Sequence, residues 1–381
     1  MIRPVHGGNL AWAATLAGCP AAAILDFSAS ISPLGPPESA LDAIRSHLSS
    51  LTAYPDPDYG ELRAALGEAL NVDPDWILPG NGSAELLTWA ALDLSKLEGT
   101  YLVTPAFGDY SRALLAFGAQ VLDCPLDLKS LDAGTGNGLV TDDLSVFKRS
   151  FVSPALSLPV PLLNADRGLL LNNPHNPTGL LFGKQAIRPY LEQLPMVVVD
   201  EAFMDFLPPS ERESLIDAVE EFPNLVILRS LTKFYSLPGL RMGCAIGHPD
   251  RLRRWQLQRD PWPVNTLAAA ATAAVLRDTV FEQKTWDWLP VARQELFEGL
   301  ANLPGLRPFP GAANFLLVES SVSVSALQKS LLERHRILIR DCLSFPELGD
   351  RFFRVAVRSR ADNLRLIAGL SEVLGHWSVD G

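Results

Sequence analysis

Short apolar runs alternate with helix-like segments along most of the chain, and this alternation limits the folds that the sequence can adopt. Four of the runs cover residues 101–104, 168–171, 196–200 and 225–228, and each is flanked by residues that favour turns. Segments with the spacing of amphipathic helices separate them. Strands that alternate with helices in this way form parallel sheets whose faces the helices cover. The sequence therefore predicts an α/β fold with a mostly parallel, doubly wound sheet.

The order of these segments predicts that the chain consists of an N-terminal arm and two domains. We expect an N-terminal arm over residues 1–35, a large domain over 36–262 and a small α+β domain over 263–381. The last part is expected to be mixed because helical spacing there gives way to the alternating, strand-like run 352–358. Residues 125–165 show no clear period, and we interpret them as a variable excursion.

The composition of the chain argues against several kinds of binding partner and site. The chain has 381 residues and a formal net charge of −11 at pH 7, so a surface for nucleic acids or anionic membranes is not expected. No apolar run reaches the roughly 20 residues that a membrane helix needs. The four cysteines are isolated and the six histidines lack ligand spacing. This pattern disfavours a disulfide framework or a metal site and predicts a cytoplasmic protein.

One apolar stretch near the start of the chain could be mistaken for a lipoprotein signal. It follows Asn9 and ends in Cys19, but only one basic residue precedes it. Asparagine is a favoured helix N-cap. We therefore expect an ordinary helix that begins after Asn9.

Two ionisable residues follow predicted strands. Lys233 comes after the apolar run 224–228, and Asp200 ends the run 196–200. The carboxyl ends of parallel strands share one edge of a sheet, where open α/β folds bind their ligands. A desolvated lysine there can form a Schiff base with a carbonyl, and a buried acid can keep the ring nitrogen of a pyridine cofactor protonated. Alone, each residue is also explained as an ordinary strand-end charge or helix cap.

Two turns add possible ligand contacts. Residues 80–85 (GNGSAE) open an apolar helix, and the first backbone N–H groups of a helix bind anions such as phosphate. Residues 173–179 (NPHNPTG) follow another predicted strand, and Asn176 could donate to a cofactor oxygen. Both segments are equally typical of plain turns. Further phosphate donors near the lysine would be Ser230, Thr232 and Arg241.

In this order, the motifs resemble the fold-type I, pyridoxal-phosphate-dependent aminotransferase superfamily. The order is a Gly-rich turn, an aromatic residue, NPTG, an aspartate, and SLTK with an arginine downstream. The resemblance implies that Lys233 binds the aldehyde of pyridoxal 5'-phosphate and that Asp200 pairs with its pyridinium nitrogen. It also implies a homodimer with shared active sites. The remaining cofactor contacts would be Gly82, Ser83, Phe107 stacked on the ring, Asn176, Ser230, Thr232, Arg241, and Tyr54 reaching the partner subunit's cofactor.

Further motifs narrow the resemblance and extend it over essentially the whole chain. They are HGGN at 6–9, LDFSASISPLG at 25–35, SLTKFYSLPGLRMG at 230–243, ILIRDC at 337–342 and RFFRVAVRS at 351–359. Together they look like the threonine-phosphate decarboxylases of cobalamin biosynthesis, a family close to the histidinol-phosphate aminotransferases. The resemblance implies a lyase that converts L-threonine O-3-phosphate to (R)-1-amino-2-propanol O-2-phosphate and carbon dioxide.

An acidic protein that binds an anionic substrate must gather its cations locally. The resemblance assigns Arg340 and Arg354 to the anionic groups of the substrate and His6 to its phosphate. Arginine suits this role because its planar guanidinium binds phosphate or carboxylate through two hydrogen bonds. From the residues alone, a solvated basic edge explains these arginines as well. The remaining substrate contacts would be Gly7, Ser30 and Asn176.

The sequence departs from the family patterns at two places. Phe203 stands where aminotransferases of this type usually have a tyrosine that bonds the cofactor's phenolic oxygen, and this difference resembles the decarboxylases. Ser30 and Ser32 replace the two asparagines of the usual motif DFSANINPLG. A shorter hydroxyl can still form a hydrogen bond, but the pose of the substrate beside Ser30 is left open.

Two other functions stay open. The first is an aminotransferase that acts on a phosphorylated substrate such as histidinol phosphate. The second is a non-catalytic regulator that binds pyridoxal phosphate. Such regulators usually carry a DNA-binding domain, whereas the enzyme-like motifs of this chain start at His6 and run to Arg358.

Overall fold

A seven-stranded sheet is the centre of the fold. The computed structural model describes Pro4 and residues 6–128, 152–153 and 166–379. The strands of the sheet, in spatial order, are β2 (Ile77–Asn81), β10 (Met242–Gly247), β9 (Leu225–Ser230), β8 (Met196–Asp200), β6 (Arg167–Asn172), β3 (Gly99–Thr104) and β4 (Val121–Pro125). The neighbours from β9 to β4 are parallel, and β10 runs antiparallel to both of its neighbours. The predicted α/β fold with a mostly parallel sheet is confirmed.

Both faces of this sheet are buried, which explains the unbroken apolar runs of its strands. Side chains alternate between the two faces along a strand, so Val197 and Val199 belong to one hydrophobic cluster and Val198 belongs to another. The first cluster includes Ile187 and the second includes Leu86, and both of these residues lie in helices. Helices therefore pack on both faces, as expected for a doubly wound sheet.

Helices connect most of the strands. Among the described residues, the α-helices are α1 (Leu10–Ala17), α2 (Glu38–Ser46), α3 (Gly60–Leu70), α4 (Ser83–Leu94), α5 (Gly108–Ala116), α6 (Lys184–Gln193), α7 (Pro249–Gln258), α8 (Thr266–Val275), α9 (Thr279–Ala301), α10 (Val324–His335) and α11 (Arg360–Val379). The side chain of Asn9 accepts a hydrogen bond from the backbone N–H of Trp12. The predicted capped helix at α1 is thus confirmed.

A smaller antiparallel sheet lies in the last third of the chain. Its strands, in spatial order, are β11 (Leu306–Pro308), β12 (Phe315–Ser320), β15 (Phe352–Ala356) and β14 (Arg340–Asp341). The predicted strand 352–358 is confirmed as β15, although it ends at Ala356. Most of the predicted excursion 125–165 lies outside the described residues. Two parallel strand pairs complete the described fold, β1 (Leu25–Asp26) with β13 (Ile337–Leu338) and β5 (Val152–Ser153) with β7 (Leu181–Phe182).

The arm joins the two sheets at one place. The backbone N–H of Ser32 donates to the carbonyl oxygen of Lys233 over 3.0 Å. The N–H of Ala356 in β15 donates to the carbonyl oxygen of Phe27 over 2.9 Å. The segment between Phe27 and Ser32 therefore contacts both the turn after β9 and the edge of the small sheet.

Candidate active site

The end of β8 and the turn after β9 carry the two residues on which the cofactor prediction rests. The two strands are parallel neighbours, with Asp200 opposite Leu228, so Asp200 and the turn that contains Lys233 lie at the same sheet edge. Asp200 is buried and Lys233 is half-buried. The charge of Asp200 acts on the pKa of Lys233. The structure therefore brings these two residues together, as predicted.

Each carboxylate oxygen of Asp200 accepts a hydrogen bond from within the protein. The hydroxyl of Tyr110 donates to Oδ2 over 2.9 Å, and the backbone N–H of Ala202 donates to Oδ1 over 2.9 Å. Burial raises the pKa of Asp200, while Lys233 and the two hydrogen bonds act in the opposite direction. The carboxylate is thus held in one orientation where its charge acts strongly on a nearby cation.

The amine of Lys233 lies in a pocket of mixed character. Its Nζ is 3.4 Å from Oγ of Ser230 and 5.0 Å from the ring centroid of Phe203. The Ser230 hydroxyl in turn lies 2.9 Å from the hydroxyl of Thr232. Burial lowers the pKa of Lys233, Asp200 opposes this effect, and two nearby arginines add to it. A lysine with a lowered pKa has a larger neutral fraction, and the neutral amine is the nucleophile.

Two glycines shape an anion cradle beside this pocket. Gly82 has φ of +76°, and a Cβ there would lie 2.5 Å from Nη2 of Arg241. A Cβ on Gly243, which pairs with Ser230, would lie 2.5 Å from the backbone nitrogen of Ser83. No side chain caps the first N–H groups of α4, which begins at Ser83. The backbone N–H groups at the start of α4, the guanidinium of Arg241 and the hydroxyl of Ser230 therefore lie together, where they can bind a phosphate.

The NPHNPTG turn connects this edge to the small sheet. The backbone N–H of Asn176 donates to the side-chain oxygen of Asn172, the last residue of β6. Nη1 of Arg354 in β15 donates to the side-chain oxygen of Asn176. At the end of the turn, the N–H of Ala312 donates to the carbonyl oxygen of Gly179 over 2.7 Å. Asn176 thus links the end of β6 to Arg354 in the small sheet.

A model of the family "Aminotransferase class I and II" matches residues 22–370 of this chain. The chain belongs to the aminotransferase class I and II family. The match includes both sheets and most of the site residues. Enzymes of this family depend on pyridoxal phosphate, so the predicted enzyme class and cofactor are confirmed.

Proteins of two named activities are similar to this chain over nearly its whole length. Threonine-phosphate decarboxylase of Salmonella typhimurium is 39% identical over 379 residues, which are 98% of each chain. A histidinol-phosphate aminotransferase of Symbiobacterium thermophilum is 32% identical and covers 90% of this chain and 88% of that protein. The crystal structure of histidinol-phosphate aminotransferase from Clostridium acetobutylicum has a TM-score of 0.78 at 27% identity, over 93% of this chain and 100% of that one. The predicted resemblance is confirmed.

The pocket of this aminotransferase-family chain fits pyridoxal phosphate. A buried acid, an amine and an anion cradle lie along one sheet edge, and the absence of a Cβ at Gly82 and Gly243 leaves the cradle open. Phe107 precedes α5, and its ring lies 5.6 Å from the ring of Tyr110, whose hydroxyl binds Asp200. The predicted stacking residue is therefore placed beside the acid.

Two arginines form the other half of the site. Arg340 in β14 and Arg354 in β15 are directly opposite each other. Nη2 of Arg340 donates to Oγ of Ser344 over 2.6 Å, and the guanidinium of Arg354 lies 4.6 Å from the ring centroid of Phe315. Arg354 forms no ion pair with any described acid. Burial and the charge of Arg340 lower the pKa of Arg354 to about 10. Adjacent cations of this kind are stabilised by a bound anion.

The arm supplies further residues near Arg340. His6, Gly7 and Arg340 line one cleft. The ring of His6 lies 5.6 Å from the ring of Phe107. A Cβ on Gly7 would lie 2.2 Å from the carbonyl oxygen of Ser28, so only glycine permits this close approach of the two segments. The structure thus brings His6 and Gly7 to Arg340, as predicted.

Ser30 is one of several residues in the described part of the chain with a buried polar atom that forms no hydrogen bond. Its hydroxyl has no hydrogen-bond partner among the described residues, and its side chain is only 5% exposed. Buried polar groups are normally satisfied, so a free hydroxyl here is consistent with a ligand contact.

Tyr54 lies apart from the other predicted cofactor residues. It is 79% exposed and stacks on Trp262 with ring centroids 4.4 Å apart. Leu48 and Leu51 nearby are also more than half exposed. An exposed position is compatible with the predicted contact across a dimer interface.

Three contacts of the site were not predicted. The bond from Tyr110 to Asp200 had a signal, because Tyr110 follows Phe107 by three residues and therefore shares its side of the helix. The bond between Arg340 and Ser344 joins residues four positions apart in an irregular segment, and the approach of residues 179 and 312 depends on tertiary folding. No local pattern in the sequence indicates them.

The described residues contain neither a membrane-spanning helix nor a cluster of metal ligands. No helix there combines the length and apolar character required to cross a membrane. No group of three or more His, Cys, Asp or Glu side chains in the same residues could hold a metal ion.

Proposed function

We propose that this chain is a threonine-phosphate decarboxylase. It would convert L-threonine O-3-phosphate to (R)-1-amino-2-propanol O-2-phosphate and carbon dioxide for cobalamin biosynthesis. The pair Arg340 and Arg354 carries the proposal, because two adjacent cations next to the lysine pocket match a substrate with a phosphate and a carboxylate. Similarity to the Salmonella typhimurium protein, whose name states this activity, supports it.

The residues at the sheet edge would hold the cofactor. Bound pyridoxal 5'-phosphate supplies a sink for the electron pair that remains when a bond to the substrate Cα breaks. Lys233 would bind its aldehyde, Asp200 its ring nitrogen and Phe107 its ring face, while Asn176 would donate to a ring oxygen. The phosphate donors would be Gly82, Ser83, Ser230, Thr232 and Arg241.

Substrate orientation selects the bond that breaks. Only a bond to Cα that stands perpendicular to the cofactor ring can release its electrons into the ring, and a decarboxylase must place the carboxylate there. Arg340 and His6 would bind the phosphate, while Arg354, held by Asn176, would bind the second anion. Two anchors fix rotation about the Cα bonds, so these side chains would set the reaction type as well as the affinity.

Lys233 is the group best placed to return a proton to Cα after carbon dioxide leaves. Its Nζ lies over the ring of Phe203, which itself packs edge-on against Phe315 with centroids 5.0 Å apart. These rings limit access of water to the amine. Because burial lowers the pKa of Lys233, the amine exchanges a proton more readily near neutral pH.

A product assay separates the two enzyme functions. The purified protein, loaded with pyridoxal phosphate, is incubated with L-threonine O-3-phosphate, and carbon dioxide and the phosphorylated amine are measured. A parallel reaction contains histidinol phosphate and 2-oxoglutarate. We expect carbon dioxide in the first reaction and little glutamate in the second. Glutamate without carbon dioxide would instead establish the aminotransferase.

Aminotransfer from a phosphorylated substrate is the second candidate. The 32% sequence identity to the histidinol-phosphate aminotransferase of Symbiobacterium thermophilum favours this function. Phe203 argues against it, because its buried ring offers no hydroxyl to the cofactor beside Lys233. We therefore rank decarboxylation first.

We also propose a homodimer in which Tyr54 reaches the partner's cofactor phosphate. The exposed patch of Leu48, Leu51 and Tyr54 supports this arrangement, because exposed apolar patches mark protein interfaces. Mixing the variants Lys233→Ala and Tyr54→Ala tests it by subunit exchange. Restored activity in the mixture is expected, since one site of each mixed dimer would be intact. A mixture as inactive as its parts would exclude shared sites.

The organisation and location remain predictions. We propose the arm 1–35, the large domain 36–262 and the small domain 263–381, a division supported by the two separate sheets. Limited proteolysis with mass spectrometry checks the boundary near 262. A cytoplasmic location is supported by the four free cysteines, and cell fractionation tests it.

A further inference from the structure

Tyr110 is a fully buried residue that the proposed reaction leaves without a role. It lies in α5, is 3% exposed and donates its hydroxyl to Oδ2 of Asp200 over 2.9 Å. Its ring packs edge-on against Phe107, with centroids 5.6 Å apart and an interplanar angle of 84°. One side chain therefore contacts both the predicted acid and the predicted stacking ring.

The bond constrains the acid in two ways. The carboxylate of Asp200 is bound at both oxygens, by Tyr110 and by the N–H of Ala202, so it cannot rotate without breaking a hydrogen bond. A donor at a carboxylate also favours the ionised form. Burial acts against ionisation at this position, and the hydrogen bonds oppose that effect.

We propose that Tyr110 is a positioning residue that holds Asp200 ionised and oriented toward the ring nitrogen of the cofactor. The inference rests on the proposed function only in taking pyridoxal phosphate as the ligand. It does not depend on whether the substrate is decarboxylated or transaminated.

The groups around the pair are compatible with this role. Lys233, from the turn after β9, faces Asp200 as a cation and favours its ionisation. Asp109, from α5, is the other acid whose charge acts on Tyr110. Burial raises the pKa of Tyr110 well above its usual range, so the phenol remains a proton donor at all working pH values.

The variant Tyr110→Phe removes the hydroxyl and keeps the ring. The purified full-length protein is stripped of cofactor and titrated with pyridoxal phosphate by fluorescence, and the visible absorption of the loaded protein is followed from pH 6 to 10. We expect affinity to fall about tenfold, the effect of losing one hydrogen bond to a charged group. We also expect the pH midpoint of the absorption change to move upward by about half a unit or more. The shift follows because a less ionised acid keeps less of the ring nitrogen protonated.

Tyr235→Phe is the matched control. Tyr235 is also buried, and its hydroxyl donates to a carboxylate, Oε1 of Glu282, over the same 2.9 Å. This variant loses an equivalent bond away from Asp200, so we expect wild-type cofactor affinity and an unchanged pH midpoint. Thermal unfolding of both variants measures the purely structural cost.

The outcomes separate this inference from the function. If the wild-type protein binds no pyridoxal phosphate, the proposed function is wrong. If it binds the cofactor and Tyr110→Phe matches it in affinity and pH midpoint, only the role of Tyr110 is overturned. Equal changes in Tyr110→Phe and Tyr235→Phe would also overturn it, because they would show a general effect of destabilisation.

Discussion

The edge of the large sheet and the edge of the small sheet meet at the site, and they handle charge in opposite ways. At the large sheet, Asp200 is bound at both oxygens and faces Lys233. At the small sheet, Arg340 and Arg354 stand opposite each other, and Arg354 has no acidic partner among the described residues. The acid and the amine of the first edge face each other within the protein. At the second edge Arg340 lies 3.8 Å from Asp341, whereas Arg354 has an arginine and not an acid opposite it.

This difference separates two tasks. A pre-formed acid and amine suit a cofactor that stays bound through many turnovers, because their orientation must not change between them. An arginine without an acidic partner, such as Arg354, suits a substrate that binds and leaves in each turnover, since the anionic substrate supplies the counter-charge only while it is bound. We therefore expect changes at the large sheet to abolish chemistry and changes at the small sheet to alter substrate selection.

Lys233→Ala should have the largest effect. Removal of the amine eliminates covalent attachment of the cofactor and the nearest proton carrier, so activity should fall by a factor on the order of 10³ or more. The visible absorption band of the attached cofactor should also disappear. Lys184→Ala, which removes a surface lysine paired with Asp217, is the control and should leave both unchanged. Retention of the band in Lys233→Ala would contradict the assignment.

Arg354→Gln should separate the two edges. The variant keeps hydrogen-bonding capacity but loses the charge, so KM for threonine phosphate should rise about 100-fold, within the range for a lost charge contact. Affinity for pyridoxal phosphate should stay within about twofold. Arg307→Gln, in the same sheet but exposed and paired with Glu319, should behave as wild type in both assays. A large loss of cofactor affinity in Arg354→Gln would show that the two edges are not separate.

His175→Gln should change how the stability of the protein depends on pH. His175 lies in the turn at residues 173–179, which joins the two edges. It is buried beside the hydroxyl of Thr178, and burial lowers its pKa from 6.5 to about 3. Unfolded chains therefore bind this proton below pH 6.5 while the folded protein does not, so its contribution is fully present above pH 6.5 and is lost toward pH 3. As the pH falls between these values, the free energy of unfolding should decrease by up to about 1.4 kcal/mol per pH unit because of this group.

Denaturant unfolding at several pH values checks this prediction. The free energy of unfolding should depend less steeply on pH in His175→Gln than in the wild type. The exposed His47→Gln should keep the wild-type slope.

Phe203→Tyr should have the smallest effect. The new hydroxyl is buried between Lys233 and Phe315 and should cost about 1–3 kcal/mol of stability unless the cofactor or another group binds it. If it reaches the cofactor, the visible absorption should shift and carbon dioxide release should fall several-fold. Absorption spectra and product ratios measure this. An unchanged spectrum with an unchanged rate would mean that the missing hydroxyl does not distinguish the two reactions.

The large-sheet edge could be predicted well from the sequence. Lys233, Asp200 and the turn at residues 80–85 each follow an apolar strand, and parallel strands necessarily end at a shared edge. The spacing of the apolar residues was therefore sufficient to predict the fold and the closeness of Asp200 and Lys233. Boundaries were less certain, since β15 ends two residues before the predicted strand does.

The small-sheet edge could be predicted only through family resemblance. The alternating pattern of residues 352–358 predicted that Arg354 and Arg358 lie on the same face of the strand. It did not show whether either arginine contacts a substrate or has a structural role. In the structure, Arg358 contacts Asp362 and the carbonyl oxygen of Asp26. The pairing of Arg340 with Arg354 and the closeness of His6 to Arg340 join segments that are apart in the chain. Tertiary packing determines such contacts, and local patterns do not encode them.

The most direct test of this division of tasks is the preference for a phosphorylated substrate. Carbon dioxide release from L-threonine O-3-phosphate and from L-threonine is measured as kcat/KM for the wild type and for Arg340→Ala, together with affinity for pyridoxal phosphate. We predict a strong preference for the phosphorylated substrate in the wild type, a loss of most of that preference in Arg340→Ala, and equal cofactor affinity in both. An unchanged preference in Arg340→Ala, or no carbon dioxide from either substrate, would contradict the account.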